Sequence, residues 1–218
     1  MRQAQIIYNC PVDALKAPSY SESFAARFAL PMVAAAMANT SLMLSVLLCL
    51  FRECFAYLAY LTDAHAAVLV FRGSTEEQVF GHSIASGLAS IASAILSAQG
   101  YVSSDRIKLV TFGQPRMSDA LFAQNHDRLV PHSFRLINKN DIIPTLPARA
   151  FPFSHNGPFH HRYEVWYPQG ISTGAWHVLA TMAEDGRSSN SVMSLSVKDH
   201  LFAFDKNIAE WWRHECIG

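Results

Sequence analysis

The sequence predicts an α/β fold, because stretches with strand character alternate with stretches of helical periodicity. Two runs rich in aromatic and aliphatic residues come first, at about 55–61 and 66–72. A long apolar helix follows at about 84–99, and further strand-like runs come after it. The chain has 218 residues, half of them hydrophobic, so it can bury a full core. We therefore expect one domain over 1–218.

Each element rests on a local pattern, and the long helix is the clearest case. Its apolar residues recur at the spacing of one helix face, and Gly100 provides a natural end; they are Leu88, Ile91, Ala92, Ile95 and Leu96. The remaining helices are expected at about 20–38, 41–50, 117–126 and 204–214, and the remaining strands at about 107–112, 133–138 and 162–167.

The N-terminal helical region, 20–50, contains an uncharged stretch that is long enough to cross a bilayer. Residues 28–51 are twenty-four in number and lie between Arg27 and Arg52. Pro31 and several polar residues interrupt the stretch, which favours a buried helix pair over a membrane anchor. A membrane-anchored protein therefore remains an alternative hypothesis.

Composition limits the possible partners. The formal net charge is zero and basic residues do not cluster, so we expect no nucleic acid partner. Four cysteines permit two disulfides but do not require them. No His/Cys spacing is typical of a metal site, and no cofactor is expected. Residues 1–18 lack the basic start and apolar run of a signal peptide, so no route of export is apparent.

A heptapeptide, Gly81-His82-Ser83-Ile84-Ala85-Ser86-Gly87, stands directly before the long helix. Small residues around a serine suit a sharp strand-to-helix turn, where the hydroxyl is exposed and the helix N-terminus offers N–H groups to a developing oxyanion. The pattern predicts Ser83 as the nucleophile of an acyl-transfer reaction. The alternative is that Ser83 merely caps a core helix.

A nucleophilic serine needs a base and a carboxylate that orients the base, and both are expected C-terminal to it. Asp141 follows a strand-like run, where α/β proteins place chemistry, although an Asx turn is an alternative role. Among ten histidines, His200 lies in a late loop before the terminal helix and is the preferred base. His160 and His161 are adjacent on an extended segment, so at most one of them is expected to face a site.

These motifs resemble the class 3 (fungal-type) lipases of the α/β-hydrolase fold, most closely their nematode branch. The matching stretches occur in unbroken order at 55–61, 67–74, 81–92, 105–116, 133–144 and 164–167. The resemblance places a catalytic core at 55–205. Phe112 to Arg116 matches a turn after a strand, and we expect it to serve as a tight turn that ends the strand.

The resemblance implies a serine esterase that hydrolyses acylglycerols or related lipid esters in lipid metabolism. Carried over by position, Ser83 is the nucleophile, Asp141 the orienting acid and His200 the general base. The oxyanion hole would use the backbone N–H and hydroxyl of Ser74 and the backbone N–H of Ile84. Family members are typically secreted, which suggests an extracellular enzyme with possible association with a lipid surface.

The chain departs from the family between the oxyanion loop and the nucleophile. Eight residues separate Ser74 from Ser83, where the family has a helix, a lid and a strand. A crossover between parallel strands needs roughly a dozen residues, so we expect a sheet shortened by loss of this segment and a poorly anchored turn at Ser83. Ala85-Ser86 also replaces the family's usual two glycines. The alternative function is therefore a catalytically impaired pseudo-lipase or a truncated lipid-binding form.

Overall fold

The computed structural model describes residues 18–30, 55–61, 66–72, 83–149, 157–208 and 210. Its helices are α1 (Glu22–Phe24, continued by a π-helical turn over Ala25–Ala29), α2 (Ile84–Ala98), α3 (Ala120–Leu129) and α4 (Val197–His200). Its strands are β1 (Phe55–Leu61), β2 (Ala66–Arg72), β3 (Lys108–Phe112), β4 (His132–Asn138), β5 (Glu164–Tyr167), β6 (Val178–Ala180), β7 (Phe202–Ala203) and β8 (Lys206–Asn207).

The centre of the described structure is a four-stranded sheet in the order β3-β4-β5-β6. Strands β3, β4 and β5 run parallel, and β6 is antiparallel to β5. β1 and β2 form an antiparallel pair, as do β7 and β8. Because the carboxyl ends of β3 and β4 lie side by side, the residues that follow them, Gly113 and Asp141, are brought to the same edge of the sheet.

Apolar side chains cover both faces of this sheet. On one face a core cluster joins the sheet to the N-terminal helical turn; it includes Ala25, Leu30, Phe112, Leu136, Val165 and Ile208. On the other face Leu109 packs with Ala94 of α2 and with Val130. Leu109 and Val110 contact different clusters because successive residues of a strand point to opposite faces. The sheet is therefore a layer between helical segments.

Several predicted bounds are confirmed, and others are wrong for local reasons. Strands 55–61 and 66–72 and the helix from 84 lie as predicted. The helix predicted at 117–126 begins at Ala120 instead, because the Asp119 side chain caps it by accepting the Phe122 N–H at 2.8 Å. The strand predicted at 162–167 begins at Glu164, because Tyr163 has a φ of 60° and interrupts the extended backbone.

The C-terminal part differs most from the prediction. The helix predicted from residue 204 is wrong at its start, since the β7–β8 hairpin occupies residues 202–207. His200 does not lie in a loop but is the last residue of α4. At the N-terminus Ser21 caps α1, and the expected helical region beyond residue 30 lies outside the described residues. Within the described part of the chain, no helix combines the length and the apolar character needed to cross a bilayer.

Candidate active site

Ser83 lies at a strained turn immediately before α2. Its backbone has φ 70° and ψ −134°, a conformation that is costly for any residue with a side chain. Its side chain makes no capping hydrogen bond to the helix, so the alternative role of helix cap finds no support. A strained turn directly before a helix is the geometry in which a serine hydroxyl is held clear of the backbone.

The turn at Ser83 is bonded to the carboxyl end of β3. The Ser83 N–H donates to the carbonyl oxygen of Phe112 at 3.0 Å, and the Ser86 hydroxyl donates to the same oxygen at 3.1 Å. Ser86 and Ala85, which replace the family's two glycines, are both buried. These two hydrogen bonds attach the turn to the sheet, whereas the segment before Ser83, on which the expectation of a poorly anchored turn rests, lies outside the described residues.

Asp141 and His200 form a buried pair. Asp141 Oδ2 lies 2.8 Å from His200 Nδ1, and Asp141 Oδ1 accepts the Ile143 N–H at 2.9 Å. The loop after β4 and the segment before α4 are joined at Asp141 and Ser196, where Ile142 N–H donates to the Ser196 carbonyl. Because a carboxylate only accepts hydrogen bonds, Nδ1 of His200 is the donor, and this bond fixes both the tautomer and the orientation of the ring.

Gly113 lies directly against this pair. A Cβ built on Gly113 would be 2.5 Å from Asp141 Oδ2 and 2.6 Å from His200 Nδ1, closer than real side chains approach. Gly113 also has a φ of 55°, which favours glycine. Its neighbour Phe112 accepts the hydrogen bond from Ser83, so the backbone of residues 112–113 contacts both the nucleophile turn and the Asp–His pair. This segment is the common support of the candidate site.

A buried ionic network holds the turn that continues from Gly113. Arg116 forms a bidentate ion pair with Glu184, at 2.8 Å between Nη2 and Oε2, and also donates to the carbonyls of Thr145 and Pro147. Glu184 accepts from His160 as well. Burial alone would raise the pKa of Glu184, but hydrogen bonds from His160 and Arg116 hold it well below its usual value. The network ties the turn after β3 to the loop that follows Asp141, a role that the sequence pattern did not reveal.

His160 and His161 belong to the surroundings of this turn rather than to the Asp–His pair. His160 Nε2 lies 3.2 Å from the Gln114 carbonyl oxygen, and His161 Nε2 lies 3.1 Å from Gln114 Nε2. His160 contacts the backbone carbonyl of Gln114 and the carboxylate of Glu184, whereas His161 contacts the side-chain amide of Gln114 and stacks on His126. These contacts agree with the expectation that at most one of the two rings faces the site.

One group of described residues has the composition of a metal site: His126, Asp127 and His161, whose candidate ligand atoms lie within 4.8 Å of one another. The two imidazole rings are stacked, with centroids 4.1 Å apart and planes 18° from parallel. A histidine binds metal in the plane of its ring, so two stacked rings do not direct their lone pairs to one point. Asp127 is also paired with Arg162. The arrangement therefore does not suit a metal ion.

Of the two residues predicted to form the oxyanion hole, the structure describes Ile84 but not Ser74. Ser74 and the whole connection to residue 82 lie outside the described residues, so the predicted loss of a segment there stays a prediction. Ile84 is the first residue of α2, and its side chain is half exposed. The first N–H groups of a helix have no acceptor within the helix, so the Ile84 N–H is of the kind that can bind an oxyanion.

Comparison with known proteins identifies the family. The family described as Lipase (class 3) matches residues 35–151, which is more than half of the chain. The chain belongs to the class 3 lipase family. The family match includes Ser83 and Asp141, whereas His200 lies beyond its end.

Relatives named as lipases agree with this assignment. Lipase ZK262.3 of Caenorhabditis elegans is 34% identical over 164 residues, covering 63% of this chain and 46% of that protein. The secreted mono- and diacylglycerol lipase MDL5 of Malassezia globosa is 28% identical over 109 residues, covering 49% of this chain and 33% of that protein. The chain thus spans less than half the length of either relative.

A solved structure gives the same fold. The Rhizomucor miehei lipase in complex with its propeptide superposes with a TM-score of 0.68 at 20% identity, covering 88% of this chain and 83% of that chain. The chain therefore has the α/β-hydrolase fold, as predicted.

Proposed function

We propose that this protein is a serine hydrolase that cleaves lipid carboxylic esters. The observation that carries the proposal is the buried 2.8 Å contact between Asp141 and His200, packed against Gly113. Phe112, which precedes Gly113, accepts a hydrogen bond from the Ser83 N–H. A hydroxyl, an imidazole and a carboxylate supported by one strand end are the groups that acyl transfer requires.

The proposed reaction uses these groups in sequence. His200, with its Nδ1 proton held by Asp141, presents unprotonated Nε2 as the base that takes the proton from Ser83 Oγ. Ser83 Oγ attacks the ester carbonyl, and the N–H groups of Ile84 and Ser74 stabilise the negative oxygen. His200 then gives its proton to the leaving alcohol, and water attacks the acyl-enzyme by the same path to release the acid.

Exposed apolar side chains support a lipid substrate. Met193, Leu195 and Val197 lie in the segment that leads to His200, and they are 98%, 44% and 64% exposed. Leu146, in the loop after Asp141, is also exposed. Apolar residues next to a reactive centre favour contact with an apolar surface or substrate. The relatives named as lipases point to the same substrate class, and this argues against the non-catalytic alternative.

A fluorophosphonate probe tests the proposed chemistry. Such a probe reacts with an activated serine, so the wild-type protein should be labelled and Ser83→Ala should abolish the labelling. Ser97→Ala, at the far end of the same helix, is the matched control and should be labelled like wild type. Folded wild-type protein that resists the probe would overturn the proposal, as would equal labelling of Ser83→Ala.

Adsorption to a lipid surface is a separate part of the proposal. Met193→Asp should weaken binding to phosphatidylcholine vesicles in a sedimentation assay, because a charge at a lipid-contacting position opposes insertion. Tyr101→Asp is the matched control, since Tyr101 is 75% exposed but follows the opposite end of α2 from Ser83. Equal binding by both variants and wild type would remove this part of the proposal.

Secretion is a further part of the proposal, and the relative named as a secreted lipase supports it. Expression of the tagged natural gene should place the protein in the medium, with lysate and a cytosolic marker as controls. Retention of the protein in the lysate fraction would contradict export.

A further inference from the structure

Ser86 carries a buried hydroxyl that the proposed chemistry does not use. Its residue exposure is 1%, and its Oγ donates to the Phe112 carbonyl oxygen at 3.1 Å. Ser83 donates its backbone N–H to that same oxygen at 3.0 Å. One acceptor at the carboxyl end of β3 therefore holds both the nucleophile turn and the first turn of α2.

The position of this acceptor relates it to the base. Phe112 is followed by Gly113, whose α-carbon lies against Asp141 and His200. Gly113 is itself fixed to β4 by a hydrogen bond from its N–H to the Leu136 carbonyl at 2.9 Å. Because Gly113 at the end of β3 contacts the Asp–His pair, any displacement of the Ser83 turn relative to β3 changes the distance from the nucleophile to the base.

We infer that the Ser86 hydroxyl is a positioning residue, which holds the Ser83 turn against the strand end that supports His200. The inference rests on the proposed function and specifies what keeps its nucleophile in place.

The test compares two serine-to-alanine variants on the same helix. Ser93 is buried on α2, and its Oγ donates to the Ser90 carbonyl at 2.7 Å, a contact that does not involve β3. Ser86→Ala and Ser93→Ala each remove one buried hydroxyl-to-carbonyl bond, and each introduces a better helix former. In Ser86→Ala the Phe112 oxygen still accepts the Ser83 N–H, so no acceptor is left without a partner.

Ser86→Ala should lower kcat on a short-chain ester about fivefold to tenfold with KM unchanged, as expected for the loss of one hydrogen bond that fixes the nucleophile. Ser93→Ala should keep kcat within about twofold of the wild-type value, and its change in Tm should be similar to that of Ser86→Ala. Unchanged kcat in Ser86→Ala, or an equal fall in both variants, would overturn the inference.

A second measurement does not depend on turnover. Amide exchange followed by NMR should be about fivefold faster at the Ser83 N–H in Ser86→Ala than in wild type, and unchanged in Ser93→Ala. If the wild-type protein resists the fluorophosphonate probe, the proposed function fails, while exchange still decides whether the hydroxyl holds the turn. An unchanged Ser83 exchange rate in Ser86→Ala would refute the positioning role.

Discussion

Gly113→Ala should separate the geometry of the Asp–His pair from the stability of the fold. The added Cβ would lie 2.5 Å from Asp141 Oδ2 and 2.6 Å from two atoms of the His200 ring. Ordinary contact begins at 3.4 Å, so the ring must retreat by about 0.8 Å, the difference between 2.6 and 3.4 Å. A displacement of roughly 1 Å at a reacting group costs about 10²-fold in rate, and we expect kcat/KM to fall by that factor.

A matched variant controls for backbone strain. Gly100 has a φ of 71°, similar to the 55° of Gly113, but a Cβ there meets nothing within 4 Å. Both alanine variants therefore incur the left-handed penalty of about 1–2 kcal/mol, while only Gly113→Ala disturbs the pair. Gly100→Ala should lose stability in urea unfolding and keep its activity.

The assay is ester hydrolysis normalised to the folded fraction measured by circular dichroism. If folded Gly113→Ala hydrolyses esters within about threefold of Gly100→Ala, the reasoning from the contact distances is wrong.

Three further predictions concern ionisable side chains. Burial lowers the pKa of His126 to about 4, so between pH 6.5 and pH 4 the unfolded chain binds more protons at this residue than the folded chain does. The free energy of unfolding should therefore keep its full value above pH 6.5 and fall by about 3 kcal/mol toward pH 4. Urea unfolding at pH 7 and pH 4.5 should show a smaller difference for His126→Phe than for wild type, and an identical difference would contradict the assignment. Glu184→Gln leaves the buried Arg116 charge without its carboxylate, so unfolding should become easier by about 3 kcal/mol; a loss below about 1 kcal/mol would show that the pair is dispensable. Asp141→Asn should reduce kcat by ~10⁴-fold with little change in KM, because the amide favours the wrong tautomer of His200; near-normal turnover would exclude an orienting role.

Local sequence patterns predicted most of the secondary structure. Strands β1 and β2 and the start of α2 follow from runs of strand-forming residues and from helical periodicity, which are properties of neighbours in the chain. Strand β6 and the hairpin at residues 202–207 were missed, because short strands are stabilised by partners that are distant in sequence or by tight turns. The start of α3 shifted by three residues, since Asp119 rather than the apolar pattern determines where that helix begins.

By itself, the sequence determined the chemical types and chain order of the candidate site: a serine before a helix, a carboxylate after a strand and a late histidine. Only the tertiary structure decided that Asp141 and His200 lie 2.8 Å apart, that Gly113 supports them and that Ser86 holds the turn of Ser83. The physical reason is the distance along the chain over which each effect acts. Periodicity and capping act over a few residues, whereas the Ser86–Phe112 and Asp141–His200 contacts join positions 26 and 59 residues apart, which only the tertiary fold brings together.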